Sequence, residues 1–275
     1  MKQRPCHSAE LRIFPRQRFW SILALLLLSA VPELVMAQEW GHLRGQFVLK
    51  GEVPVPVTLD IERDAEVCGK VGLVDESLIV NKDNRGIRFV AVWLDSKTAV
   101  PTHPDLKDLS KPVTLDNKDC RFEPRMAALR TGQKLVLTNS DPLAHNAAVY
   151  LNRSSPFNEV IASTTPVERI VKNPETLPAR VDCSIHAWMK AWLVVTEHPY
   201  VAFTDADGKF EMKNVPVGTW RFRLWQERRG SLVQVIRNGT EEKLDKGALS
   251  VEIRPGEYSE LGTIEIPLEQ LVKKK

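Results

Sequence analysis

Cys183-Ser184-Ile185-His186-Ala187-Trp188-Met189 sets a thiol, an imidazole and a thioether at i, i+3 and i+6. Taken alone, that spacing also suits one flank of a helix. The neighbouring segments decide otherwise. Ala191-Trp192-Leu193-Val194-Val195 follows directly, and Lys134-Leu135-Val136-Leu137-Thr138-Asn139 lies upstream; both are short apolar runs of strand length. The seven residues therefore read as a loop between the last two strands of a β-sandwich.

The remaining sequence supports that reading. Short apolar or alternating runs at 42–48, 77–80, 87–94, 113–115, 134–138, 146–151 and 191–196 are bounded by Gly, Pro, Asn or Asp. A second series lies at 201–204, 209–213, 220–226, 231–236, 249–253 and 261–266. No stretch sustains a 3.6-residue apolar period, and 122–129 is the best short helix candidate. The expected fold is all-β, a sandwich followed by a second, smaller one. A boundary is expected near Glu197-His198-Pro199-Tyr200, giving 38–196 and 197–270 as the two domains. Asp205-Ala206-Asp207-Gly208 reads as a tight hairpin turn. A calcium loop would need further oxygen ligands where Lys209, Phe210 and Lys213 stand.

The N-terminus has a basic stretch (Lys2, Arg4, Arg12, Arg16, Arg18), an apolar run over 19–31, and small residues at Val35-Met36-Ala37. That is the layout of a secretory signal peptide over 1–37, and the run is too short for a spanning helix. Export to the periplasm or exterior follows, with no stable membrane insertion once the signal is removed. Of the 38 Lys and Arg and 35 Asp and Glu, five and two fall within 1–37, so the remainder balances. A chain without net positive charge argues against a nucleic-acid partner.

Export makes the cysteines informative. Cys6 leaves with the signal, and Cys68, Cys120 and Cys183 remain. An oxidising compartment favours pairing, and Cys68–Cys120 is the natural disulfide. Cys183 is then the odd thiol. One account is a buried free thiol. The other joins Cys183 to His186, Met189 and the upstream His145 as a metal set. One Cys, two His and a distant Met are the ligands of a type 1 (blue) copper electron-transfer site: soft sulfur suits Cu(I), imidazole and thiolate suit Cu(II), and a rigid scaffold lets little move as the electron does. Asn146, next to His145, is either a simple turn residue or the group that ties the two ligand loops together by hydrogen bonds, as outer-shell groups do at metal sites.

Cys183-x2-His186-x2-Met189, preceded by Asn139-Ser140-Asp141-x3-His145-Asn146, resembles the cupredoxin family, with the loop spacing of amicyanin. The match covers about 130–196. The resemblance implies a Greek-key sandwich, His145 and Cys183 as buried ligands, and His186 as the more exposed ligand through which electrons pass to redox partner proteins. Ala187, Trp188 and Trp192 would then give an apolar docking rim; the alternative is that Trp188 and Trp192 are core residues beneath the loop. Thr204-Asp205-x-Asp207-Gly208-x-Phe210 and Val215-Pro216-x-Gly218-x-Trp220 resemble the carboxypeptidase-regulatory-like (transthyretin-like) module, a structural or binding appendage. The pair of modules is similar to exported bacterial proteins of the methylamine-utilisation-like kind.

Other chemistries lack their residues. A multicopper oxidase needs His-x-His pairs, and Asp182 and Ser184 flank Cys183 instead. Zinc accepts His and Cys but rarely a thioether. A Cys–His hydrolase would need an orienting group and an oxyanion hole that the sequence does not display. The chain is therefore expected not to be an enzyme. The competing expectation is a non-redox structural or carbohydrate- or protein-binding pair of β-domains, or a copper carrier.

Overall fold

The computed structural model describes residues 38–162 and 165–272. The expected signal over 1–37 lies outside the described residues, as do Lys273, Lys274 and Lys275. Among the described residues no helix is long and apolar enough to cross a membrane.

Among the described residues nineteen strands form four sheets. β1 (Trp40–Lys50) and β2 (Ala91–Leu94) come first. Then follow β3 (Val113–Lys118), β4 (Arg121–Glu123), β5 (Met126–Arg130), β6 (Lys134–Asn139) and β7 (His145–Tyr150). β8 (Phe157–Ile161), β9 (Val167–Ile170), β10 (Ala179–Asp182) and β11 (Lys190–Thr196) complete the central group. Beyond it lie β12 (Val201–Phe203), β13 (Lys209–Pro216), β14 (Gly218–Gln226), β15 (Gly230–Ser231) and β16 (Gln234–Arg237). β17 (Thr240–Lys243), β18 (Ala248–Ile253) and β19 (Tyr258–Pro267) end the series, with one helical turn at Leu268–Leu271. The all-β expectation holds.

The central group makes one sandwich. Sheet β4-β3-β6-β9 faces sheet β5-β11-β10-β7-β8 across a core of Leu115, Phe122, Leu129, Leu135, Leu137, Val149, Val181 and Leu193. Sheet β13-β1-β19-β16-β17 and sheet β12-β2-β14-β15, with β18 on β14, enclose a second core around Leu43, Phe47, Leu94, Tyr200, Phe222 and Ile264. The first sandwich is thus inserted in the chain between strands of the second.

This corrects the boundary expected at 197. β1 lies between β13 and β19, and β2 between β12 and β14, so residues 40–50 and 91–94 belong with the strands after 200. The reason is burial: Leu43, Phe47, Val92 and Leu94 supply inward side chains without which the later strands would leave an open face. The long segment before residue 113 is therefore not simply an extension of the metal-loop sandwich.

Period-2 burial also explains β11. Ala191, Leu193 and Val195 face the first core, while Val194 and Trp192 pack on Ala91, Trp93, Met126 and Trp225 between the sandwiches. Both faces are covered, hence the nearly continuous apolar run. The helix expected over 122–129 is absent. Pro124 has no N–H for a helix or ladder, and beyond it Met126–Arg130 pairs parallel with β11, Ala127 and Leu129 inward and Met126 outward. No strand forms over 77–80, where Val80 makes only an isolated bridge to Ile87. The Asp205 turn does form, with Asp205 Oδ1 accepting from the N–H groups of Asp207 and Lys209. It joins β12 to β13, which lie in different sheets, so it is not the hairpin expected. Gly208 is required there: its φ is +75°, and a Cβ would stand 2.2 Å from the Phe47 carbonyl oxygen.

His198 and Glu227 fasten the join. Glu227 accepts three bonds from the Arg125 guanidinium, of 2.7, 2.9 and 3.0 Å. His198 Nε2 meets the Leu94 carbonyl at 3.0 Å, and its Nδ1 accepts from Tyr200 N–H at 3.2 Å. Only neutral imidazole can do both, and burial pushes the His198 pKa down to about 4. The folded state therefore binds fewer protons than the unfolded chain between an ordinary value of about 6.5 and that lowered value. Stability from this group is complete above the ordinary value and is lost as the pH falls toward the lowered one, by up to about 3 kcal/mol. Denaturant titrations of the wild type and His198→Gln across that range should show a flatter acid limb in the variant; parallel limbs would remove His198 from the acid sensitivity.

Candidate metal centre

β7 starts at His145, and the β10–β11 connection carries Cys183, His186 and Met189, so the two ligand segments meet at one end of the sheet. His145, Cys183 and His186 are at most 1% exposed, and each offers a donor atom within 4.8 Å of the others. Cys183 Sγ stands 4.0 Å from His145 Nδ1 and 3.8 Å from His186 Nδ1, and the two Nδ1 atoms are 2.9 Å apart. The point equidistant from three atoms so spaced lies about 2.1 Å from each, in the range of metal–imidazole bonds and a little inside metal–thiolate bonds.

The far side of each ring explains why these atoms face inward. His145 Nε2 lies 2.9 Å from Asp141 Oδ2, and His186 Nε2 lies 2.8 Å from Asp64 Oδ2. A carboxylate takes the Nε2–H of each ring, which leaves each Nδ1 as a bare lone pair. Two lone pairs and a sulfur then converge on one point, an arrangement that a cation relieves. Burial, then His186, pull the His145 pKa below its ordinary range, with Asp141 opposing; the neutral ring is the ligating form.

Asn146 spans the two segments by hydrogen bonds. Its Oδ1 accepts from Ser184 N–H at 2.8 Å, Ile185 N–H at 3.3 Å and the Cys183 thiol at 3.4 Å, and its Nδ2 donates to Asn158 and Ser184. Met189 is 1% exposed, packs in the same core as Cys183, and closes the loop at the backbone: its carbonyl accepts Cys183 N–H, and its N–H donates to His186.

Two further residues were not assigned from sequence. Asp141 binds His145 and also receives the N–H groups of Asp119 and Cys120 at 2.7 and 2.9 Å. Those two residues have φ of +52° and +53°, a conformation that costs non-glycine residues free energy unless their surroundings hold it. Asp141 at i−4 from His145 was a local signal for the pair. Asp64 left none, being 122 residues from its partner.

Asp64 also corrects the expected exposure of His186, which is 0% exposed. The segment around it is bound to the sandwich by the Cys68–Cys120 disulfide, and Leu59, Ile61, Val67, Val71 and Leu143 pack with Trp188 around that bridge. Trp188 stacks beside the His186 ring at 5.0 Å and donates Nε1–H to the Cys120 carbonyl. It is half-buried beside this cover, and with the half-buried Trp192 it lines a cleft between the sandwiches, so the two indoles do not form a rim around an exposed His186. Cys183 is the free thiol, as expected.

No family model and no curated protein matches the chain. Among solved structures, the copper-containing nitrite reductase of Thermus scotoductus aligns with 37% of this chain at 20% identity and a TM-score of 0.29; the alignment spans a quarter (25%) of that enzyme. A purple cupredoxin from Nitrosopumilus maritimus aligns with 30% of this chain and 98% of its own length at 17% identity, TM-score 0.26. An amicyanin variant aligns with 38% and 97% at 11% identity, TM-score 0.28.

Proposed function

We propose that this chain is an exported protein that holds one type 1 copper and passes single electrons between redox partner proteins, without catalysing a reaction of its own. The observation that carries the reading is the convergence of His145 Nδ1, His186 Nδ1 and Cys183 Sγ, each ring backed by a carboxylate. Copper bound there would supply a one-electron couple suited to this mixed nitrogen and sulfur set. Met189, last in the loop, is the proposed weak axial ligand. Asp141, Asp64 and Asn146 orient the donors and keep them in place in both oxidation states, and the surrounding core excludes water. The disulfide agrees with an oxidising compartment. The sandwich built from β1, β2 and β12–β19, proposed as a carboxypeptidase-regulatory-like module, acts as a scaffold.

The cover over His186 favours a second reading, in which a resident metal braces the two ligand loops without redox traffic. Adding one equivalent of Cu(II) to the mature chain separates the two. An intense thiolate-to-copper band is expected, absent in Cys183→Ser, bleached by a mild reductant and restored by an oxidant. Coloured protein that does not cycle supports the second reading; colourless protein without stoichiometric copper overturns both.

A further inference from the structure

We propose that a cleft beside the metal loop binds a small planar anion of the aromatic carboxylate type. The cleft, of about 670 Å³, runs between the sandwiches and is lined by Trp188, Trp192, Arg121, Arg125, Arg180 and Lys190 among others. Its size is that of a small-molecule site.

Strand register builds its floor. On the outer face of β10 and β11, Arg180 stands opposite Trp192 and Asp182 opposite Lys190. The inner face of the same strands is packed in the core, so these alternate side chains must point out of it. The aromatic walls are Trp188, at the metal loop, and Trp192, edge-on to Trp225.

Charge selects the ligand. Five cationic side chains line the cleft, Arg121, Arg125, Arg180, Lys190 and Arg228, against Asp75, Glu76 and Glu227. The three carboxylates are already engaged: Glu227 and Glu76 by Arg125, Glu76 also by Arg121, and Asp75 by Arg228. Arg180 reaches Asp182. Lys190 has no carboxylate partner among the described residues, and its side chain is exposed on the outer face of β11. A lining with more cations than carboxylates, an unpaired ammonium at Lys190 and two indole walls fits a flat molecule with an anionic oxygen edge. The proposal concerns the metal-free chain and stands whether or not copper binds at the neighbouring site.

The test is calorimetric titration of the full chain, before and after copper addition, with 2-naphthoate as probe and 2-naphthylmethanol as its neutral counterpart. Saturable one-to-one binding of the naphthoate is expected, at least tenfold tighter than the alcohol, with the Trp192 indole N–H resonance shifting on binding. Arg180→Gln combined with Lys190→Gln, both on exposed side chains, should weaken naphthoate binding at least tenfold while leaving the melting temperature in place. Lack of saturation at millimolar probe, equal binding of the alcohol, or equal binding by the double variant would each overturn the proposal. An effect on binding of an acidic protein but not of naphthoate would also overturn it, in favour of a macromolecular partner.

Discussion

Replacing Cys68 and Cys120 together with alanine is expected to lower the unfolding free energy by about 4 kcal/mol and to uncover His186. The bridge closes a loop across a sequence separation of 52, and the chain-entropy account of so long a loop gives that magnitude. Little else ties down the Asp64 segment. It forms no extended ladder, only backbone bonds such as Leu59 N–H to Leu73 carbonyl at 2.9 Å and Asp75 N–H to Val57 carbonyl at 2.8 Å, the side-chain contacts of Asp64 with His186 and of Asp75 with Arg228, and a small apolar cluster around the sulfurs. Without the crosslink that cluster must hold the segment against its gain in chain entropy. Urea unfolding measures the first effect and carbethoxylation of His186 the second. Asp64→Ala, which keeps the crosslink, should raise His186 reactivity with a much smaller loss of stability. A double-cysteine variant that keeps both its midpoint and a protected His186 would show that apolar packing alone fastens the cover.

The second large effect is expected at Asn146, which is 3% exposed. Asn146→Ala removes the acceptor shared by Ser184 N–H, Ile185 N–H and the Cys183 thiol, together with both Nδ2 bonds. At roughly 0.5 kcal/mol net for each of the five bonds lost in a partly solvated loop, the cost is about 2–3 kcal/mol. Copper affinity should fall by about 10- to 100-fold, the usual consequence of freeing a ligand loop from its outer hydrogen bonds. Competition with a calibrated chelator reads the affinity, and denaturant titration reads the stability. Asn146→Asp, which keeps the acceptor oxygen, should retain most of the affinity. Equal affinities for all three proteins would mean that the core under Cys183 and Met189 positions the loop unaided.

The metal-loop sandwich was legible because its information is local. β6, β7 and β11 declare themselves by short apolar runs, and Cys183, His186 and Met189 sit within seven residues of one another. Asn146 was legible for the same reason, as the neighbour of a ligand. β8, β9 and β10 were not: their alternation is interrupted by charged side chains, which a strand with one solvated face tolerates. Residues 122–129 misled because Met-Ala-Ala-Leu suits either helix or strand, and parallel pairing with β11 decided between them.

By itself the sequence determined the all-β class, the disulfide pair and the place of the loop that carries Cys183 and His186, since each depends on residue type and short spacing. Tertiary structure alone decided that β1 and β2 complete the sandwich of the later strands, that Asp64 closes the Nε2 side of His186, and that His186 is buried. Those are contacts between segments far apart in the chain: β1 with β19, Asp64 with His186, Cys68 with Cys120. Periodicity reports which face of a strand is buried, but it carries no record of what buries it. That choice is made by the packing of whole sheets and is visible only in the folded chain.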